Sequence, residues 1–246
     1  MAELDLILDI LNKTTLFKSC TGDSQITLAK HSHLITAKKG QVLFSRDDKA
    51  DKFFVISTGW VKLFTGTEAG DHAIINILKD KDIFGETSVF NDDTYTHNAE
   101  AAEDSVLISI PRAALQKEIA NNPLLTLALL AEMTRYREQQ DMELEHRTLQ
   151  NAPQRLSCFL IRLAKHDTGG PLSIKLPYDK TLVAARLGMQ PETFSRTLAK
   201  LKKITGLHVK GSKIDIDNLE SLTDYACSSC SAQFPCKDLI KNSHKA

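Results

Sequence analysis

The chain has 246 residues, 42% of them hydrophobic and 25% charged, with 31 Lys+Arg balanced by 31 Asp+Glu; this composition suits a globular protein of two domains. It contains no run of eighteen apolar residues, which argues against a membrane-spanning helix. Its first stretch, MAELDLILDILNKTTLF, is acidic where a secretory signal is basic, so a cytoplasmic protein is expected.

Residues 1–33 read as helical, because Leu6, Ile7, Ile10 and Leu11 recur at helical spacing and a second short stretch runs from Ser24 to His33. From Leu34 to Ile110 the character changes. Short apolar runs (VLF at 42–44, FFVIS at 53–57, WVKLF at 60–64, AIINIL at 73–78, VLISI at 106–110) are divided by Lys39-Gly40, Thr58-Gly59 and Ala69-Gly70-Asp71. Strands and turns at this frequency predict a closed all-β barrel or sandwich. Pro111 ends that region and PRAALQKEIANN follows as a short helix. Pro123 then opens a long helix that runs to about residue 150, with Leu124, Leu127, Leu130, Met133, Tyr136 and Met142 in one stripe. Leucines off that stripe require cover on more than one side. The polar opposite face (Arg135, Arg137, Glu138, Asp141, Glu145) favours pairing of the helix with its twin in a homodimer. Asn151-Ala152-Pro153 marks a domain boundary, followed by the amphipathic helix RLSCFLIRLAKH and a strand, LSIKL.

The balanced total charge conceals an asymmetry. Residues 1–150 carry 16 basic and 23 acidic side chains, residues 151–216 carry 12 and 4, and residues 217–246 carry 3 and 4. A basic module joined to an acidic one implies that only the basic part meets a polyanion.

Within that basic module TLVAARLG is a short helix ending at Gly188, and MQPETFSRTLAKLKKI is a second helix with Gln190 before Pro191. Two short helices across a tight turn form a helix-turn-helix, and LHVKGSKIDI adds two strands around a glycine turn, the winged variant. Phe194, Leu198 and Leu201 should point inward. Glu192, Ser195 and Arg196, at i, i+3 and i+4, share one face at the N-terminal end of the second helix. Such an end enters the major groove of DNA. There Arg can donate two bonds to guanine, Glu can accept from cytosine N4, and Ser can bond an edge or touch a thymine methyl. Gln190 and Thr193 flank the triad; Lys200, Lys202, Lys203, Lys210 and Lys213 are placed for phosphates. No P-loop, G-x-S-x-G or HExxH motif occurs, so no enzymatic activity is expected.

FGE at 84–86, the glycine-punctuated strands, the long helix, and above all PETFSRTLAKL with KGSKIDI resemble the CRP/FNR superfamily of transcription regulators, from about Leu16 to Asp217. The PETFSR stretch is similar to the FNR and dissimilatory nitrate respiration branches. The resemblance implies an α+β chain: a cyclic-nucleotide-binding-like β-roll sensor (1–122), a dimerisation helix (123–150), a winged helix-turn-helix (151–217) and a Cys-containing tail (218–246). It also implies a homodimer on an inverted repeat of TTGAT-type half-sites, read by Glu192, Ser195 and Arg196, with RNA polymerase as a further partner. Gly85 and Glu86 match the Gly-Glu pair of the family's effector pocket. The arginine that would pair with a cyclic nucleotide's phosphate falls near Thr96-His97-Asn98, and no Arg lies between Glu86 and Arg112, so a cyclic nucleotide is not the expected effector.

The five cysteines are an odd set for a disulfide framework. Cys227, Cys230 and Cys236 give the spacing C-x2-C-x5-C, and three thiolates this close can hold an iron–sulfur cluster or zinc, unless they are incidental thiols of a polar tail. The set resembles the cluster motif of oxygen-sensing FNR proteins and the C-terminal cysteines of Bacillus-type FNR. That likeness implies a 4Fe-4S cluster and places His146 near the fourth-ligand position, with Cys158 and Cys20 as other candidates. The alternative sensor is haem, as in regulators that respond to nitric oxide, for which His31, His33, His72 and His97 are candidates. A non-transcriptional metal or redox protein would depend on the tail and not on Arg196.

Overall fold

The computed structural model describes residues 2–66, 72–90, 93–163, 172–176, 179–211, 213–217 and 219–227. They divide into two compact units, residues 1–137 and 138–246.

In the first unit, helices α1 (Ala2–Lys13) and α2 (Gly22–His31) precede eight strands: β1 (His33–Ala37), β2 (Val42–Phe44), β3 (Lys52–Thr58), β4 (Val61–Gly66), β5 (His72–Leu78), β6 (Ile83–Phe84), β7 (Asn98–Ala101) and β8 (Ser105–Pro111). The short helix α3 (Thr87–Phe90) lies between β6 and β7, and α4 (Arg112–Asn121) follows β8. The strands form two antiparallel four-stranded sheets in the orders β1-β8-β3-β6 and β2-β7-β4-β5. The predicted strands at 42–44, 53–57, 60–64, 73–78 and 106–110 are all present; β7 adds a strand that its sequence, NAEA, does not announce.

Alternation along β3 explains how one sheet serves two cores. Phe54 and Ile56 point between the sheets, where they meet Phe44, Leu63, Leu78, Phe84, Tyr95 and Ala99. Phe53 and Val55 point the other way, into a core built with Leu11, Phe17, Leu28, Leu115, Leu125 and Leu129 from the helices. A strand covered on both faces reads as an uninterrupted apolar run, as FFVIS does. Between the sheets the rings of Phe44 and Tyr95 stack with centroids 3.6 Å apart, and those of Phe54 and Phe84 at 4.9 Å. The Tyr95 hydroxyl donates to the Lys52 carbonyl at 2.8 Å, and burial pushes its pKa up to about 12.

The long helix α5 spans Pro123–Leu149. The Asn122 side-chain oxygen caps it by accepting from the backbone N–H groups of Leu124 and Leu125, at 3.1 and 3.3 Å. Its leucines separate by face. Leu125 and Leu129 are buried in the first unit, whereas Leu124, Leu127 and Leu130 are 53%, 61% and 58% exposed within one chain. Met133, Tyr136 and Met142 of the same predicted stripe are half-buried.

The second unit contains α6 (Ala152–Leu163), β9 (Leu172–Lys175), α7 (Lys180–Arg186), α8 (Pro191–Thr205), β10 (His208–Lys210), β11 (Lys213–Ile216) and α9 (Leu219–Cys227). The strands pair antiparallel in the order β10-β11-β9. Helix α9, with Leu222, Thr223 and Ala226 buried, packs on α6. Residues 219–227 therefore do not form a tail: the helix adds to the core of the module, and Cys227, the first cysteine of the C-terminal set, is its last residue. No helix among the described residues is long and apolar enough to cross a membrane.

Candidate nucleic-acid interface

Helix α7 starts at Asp179, whose carboxylate accepts from the Leu182 N–H at 2.9 Å. Gly188, at φ +65°, turns the chain, and the Met189 N–H returns to the Ala184 carbonyl at 2.9 Å. Pro191 occupies the first turn of α8, and Gly206 closes that helix in the left-handed region at φ +73°. Phe194, Thr197, Leu198, Leu201 and Thr205 form the buried stripe. The opposite face carries Glu192, Ser195, Arg196, Lys200, Lys202 and Lys203, all exposed, and Gln190 is exposed just ahead of it.

The structure therefore brings Glu192, Ser195 and Arg196 together on one solvent face of the helix N-terminal end. Thr193 differs from its neighbours: it is half-buried at the edge of that face, so only part of its side chain is presented. The Ser195 hydroxyl donates to the Pro191 carbonyl at 3.0 Å, which leaves its oxygen lone pairs outward. Lys200, Lys203 and Lys210 are exposed. Lys213, expected at a phosphate, is exposed and lies 3.2 Å from Asp215, two residues on along the same face of β11. The Asp215 carboxyl is held below the usual range by the Ser173 hydroxyl and then by Lys213. The sequence does not reveal Arg147 and Arg155, which reach the Arg186 and Leu187 carbonyls at the turn before α8, or Arg186, whose side chain meets Glu143; these partners are distant in the chain.

In the β-roll, Gly85 adopts φ +82°, and a Cβ there would meet the Lys52 carbonyl oxygen at 3.0 Å. The glycine is thus required by the backbone alone. Glu86 is partly buried, and desolvation raises its carboxyl above the usual range. At the position of the family's phosphate-pairing arginine stand Thr96, His97 and Asn98. His97 is half-buried and its pKa is lowered, chiefly by burial. Arg46 is the nearby cation; its guanidinium is exposed and lies 3.8 Å from the Asp47 carboxylate.

Of the candidate metal ligands, Cys227 is half-buried at the end of α9 and His146 is buried on α5. Cys230 and Cys236 lie outside the described residues. Among the described residues no three His, Cys, Asp or Glu side chains group as a metal site. Burial and the nearby Glu118 carboxylate push the Cys20 thiol up to about 11, which disfavours the thiolate that ligation requires. Of the histidines considered for haem, His31 and His33 are exposed, and the His31 Nδ1 lies 2.8 Å from the Thr27 carbonyl.

The family model described as Cyclic nucleotide-binding domain matches residues 34–122, and that described as Crp-like helix-turn-helix domain matches residues 154–225. The chain is 30% identical over 193 residues to the fumarate and nitrate reduction regulatory protein of Yersinia pestis, covering 77% of this chain and 76% of that one. It is 24% identical over 217 residues to the CRP-like cAMP-activated global transcriptional regulator of Mycobacterium tuberculosis, covering 87% and 97%. Among solved structures, a protein from Ruegeria pomeroyi DSS-3 aligns with a TM-score of 0.66 and 31% identity, over 93% of this chain and all of that one. FixK2 of Bradyrhizobium japonicum aligns with a TM-score of 0.71 and 20% identity, over 82% and 98%, a likeness of fold. The β-roll, the long helix, the winged helix-turn-helix and these relatives lead to one conclusion: the chain belongs to the CRP/FNR family of DNA-binding transcription regulators and is not an enzyme.

Proposed function

We propose that the chain acts in the cytoplasm as a homodimer on an inverted repeat of TTGAT-type half-sites, and that a redox or gas signal switches its affinity for that DNA. The observation that carries the DNA part is the common exposed face of Glu192, Ser195 and Arg196 at the N-terminal end of α8. In that pose Arg196 donates to guanine O6 and N7, Glu192 accepts from cytosine N4, and Lys200 and Lys203 meet phosphates. Twin recognition helices then fall one helical turn of DNA apart, about 34 Å. The bound dimer offers a surface to RNA polymerase. The test is a titration of a TTGAT-repeat duplex and its single-base variants. Arg196→Ala should cost about 1–3 kcal/mol on the intact repeat and relax preference at one base. Parent-like discrimination by that variant would sink the assignment.

For the signal, the spacing of Cys227, Cys230 and Cys236 supports an iron–sulfur cluster, 4Fe-4S by preference, with His146 as a candidate fourth ligand. Bound there, the cluster would supply an oxygen-labile, redox-active centre, and the cysteines' part is to provide thiolates to it. Absorption spectra of anaerobically purified protein test this. A broad visible band bleached by air, and absent from Cys230→Ser, is expected. A sharp Soret band would replace the cluster with haem, for which His31, His33, His72 and His97 are the candidate ligands; a colourless protein holding stoichiometric zinc would leave a structural site.

A further inference from the structure

A helix end leaves its last carbonyl groups without intrahelical donors. At the end of α7, local backbone N–H groups serve three of them: Leu187 bonds Val183, Gly188 bonds Ala185 and Met189 bonds Ala184. The next two carbonyls, of Arg186 and Leu187, are met by arginines from other elements. Arg147 of α5 lies with Nη2 at 3.4 Å from the Arg186 carbonyl oxygen, and Arg155 of α6 donates from Nε to the Leu187 carbonyl at 3.3 Å. Arg155 also donates from Nη1 to the Gln150 carbonyl at 2.7 Å, at the end of α5. The Arg186 side chain returns to α5, where Nη2 meets the Glu143 carboxylate at 2.8 Å with the two side chains only 22% and 31% exposed. A charge-assisted bond this sheltered is oriented and weakly screened. Every one of these contacts falls within the second unit.

We propose that Glu143, Arg186 and Arg155 are positioning residues for DNA recognition, which fix the turn at residues 186–188, and with it the N-terminal end of α8, on the last turns of α5. The inference rests on the base-reading role given above to Glu192, Ser195 and Arg196. Those side chains begin four residues after the turn, so its orientation relative to α5 becomes theirs. If α5 pairs with its twin, the same contacts set the separation of the two recognition helices, which DNA tolerates only near one helical turn. Arg186 has a competing role as an ordinary phosphate contact, and the two roles differ in their salt dependence.

The experiment uses the full chain and fluorescence anisotropy on two duplexes: one enriched from a random library by the parent protein, and one of random sequence. Glu143→Gln and Arg186→Gln should each weaken the enriched duplex by about 5- to 50-fold, the range of coupled charge pairs. The double variant should lose no more than the worse single, and affinity for the random duplex should hold. Because no phosphate contact is removed, the slope of log K against log salt should match the parent. Equal losses on both duplexes with a shallower slope would make Arg186 a phosphate contact and overturn the proposal. Parent-like binding of both singles, or additive losses, would overturn it as well. The random-duplex affinity and far-UV dichroism guard against misfolding. Arg196→Ala, run alongside, keeps the two readings apart: it alters which base is preferred, whereas the positioning variants lower affinity with base preference kept.

Discussion

Glu86 shows how a residue can be legible in a sequence and still have its role decided by its surroundings. The Gly-Glu pair stands out in FGE, but Gly85 is accounted for by its φ of +82° and the nearby Lys52 carbonyl, while Glu86 loses solvent without gaining an arginine. A carboxyl whose folded pKa lies above its unfolded one favours folding most when both states are protonated. That advantage is lost as pH rises through the raised value. Glu86→Gln should therefore melt like the parent in acid, below the usual carboxylate range, and at a higher temperature at pH 7, with the gap opening between. Asp82, raised by burial too, is common to both proteins and cancels in the difference. Differential scanning fluorimetry across pH checks this; a variant less stable than the parent at pH 7 would show that the charge is compensated. The recognition triad was legible for another reason, because exposure at 192, 195 and 196 follows from helical periodicity once Phe194, Leu198 and Leu201 are assigned inward. Periodicity could not reveal Glu143 with Arg186 or Arg155 with Leu187, since those partners are separated by 43 and 32 residues.

Among elements, α5 was legible in extent, and its two apolar faces were anticipated from leucines falling off the main stripe. Which face is which needed coordinates: Leu125 and Leu129 anchor the helix to the first unit, and Leu124, Leu127 and Leu130 remain uncovered. If that uncovered face is the dimer interface, Leu127→Asp should shift the protein to monomer in sedimentation velocity while its thermal unfolding in the monomeric form stays cooperative. Leu129→Ala should do the reverse, costing about 2–5 kcal/mol of stability through a core cavity while leaving association intact. A Leu127→Asp protein that still sediments as a dimer would move the interface elsewhere. Two of the elements that the sequence did not announce, β7 and α9, have few large apolar residues. β7 contributes only Ala99 and Ala101 to the space between the sheets, where bulk comes from the rings facing them, and α9 shows a thin stripe because α6 supplies most of the shared core.

For the whole molecule, the charge asymmetry between residues 1–150 and 151–216 has a consequence apart from DNA affinity. With no net formal charge and a pI near 7.1, the protein has little net repulsion between copies at neutral pH. Its acidic and basic regions also attract across molecules, an interaction that acts over about 10 Å at 0.1 M salt and over about 30 Å at 0.01 M. Light scattering at pH 7 should therefore fall as salt is raised from low ionic strength, the opposite of salting out. A short duplex added at low salt should clear the solution too, by covering Lys200, Lys203 and their basic neighbours and leaving each complex strongly negative. The same addition should have a weaker effect on a protein in which Lys200, Lys202 and Lys203 are replaced by Gln. Scattering that rises with salt would assign self-association to apolar contact, with the uncovered leucines of α5 as its first source, because added salt weakens exposed charge attraction and leaves hydrophobic association in place.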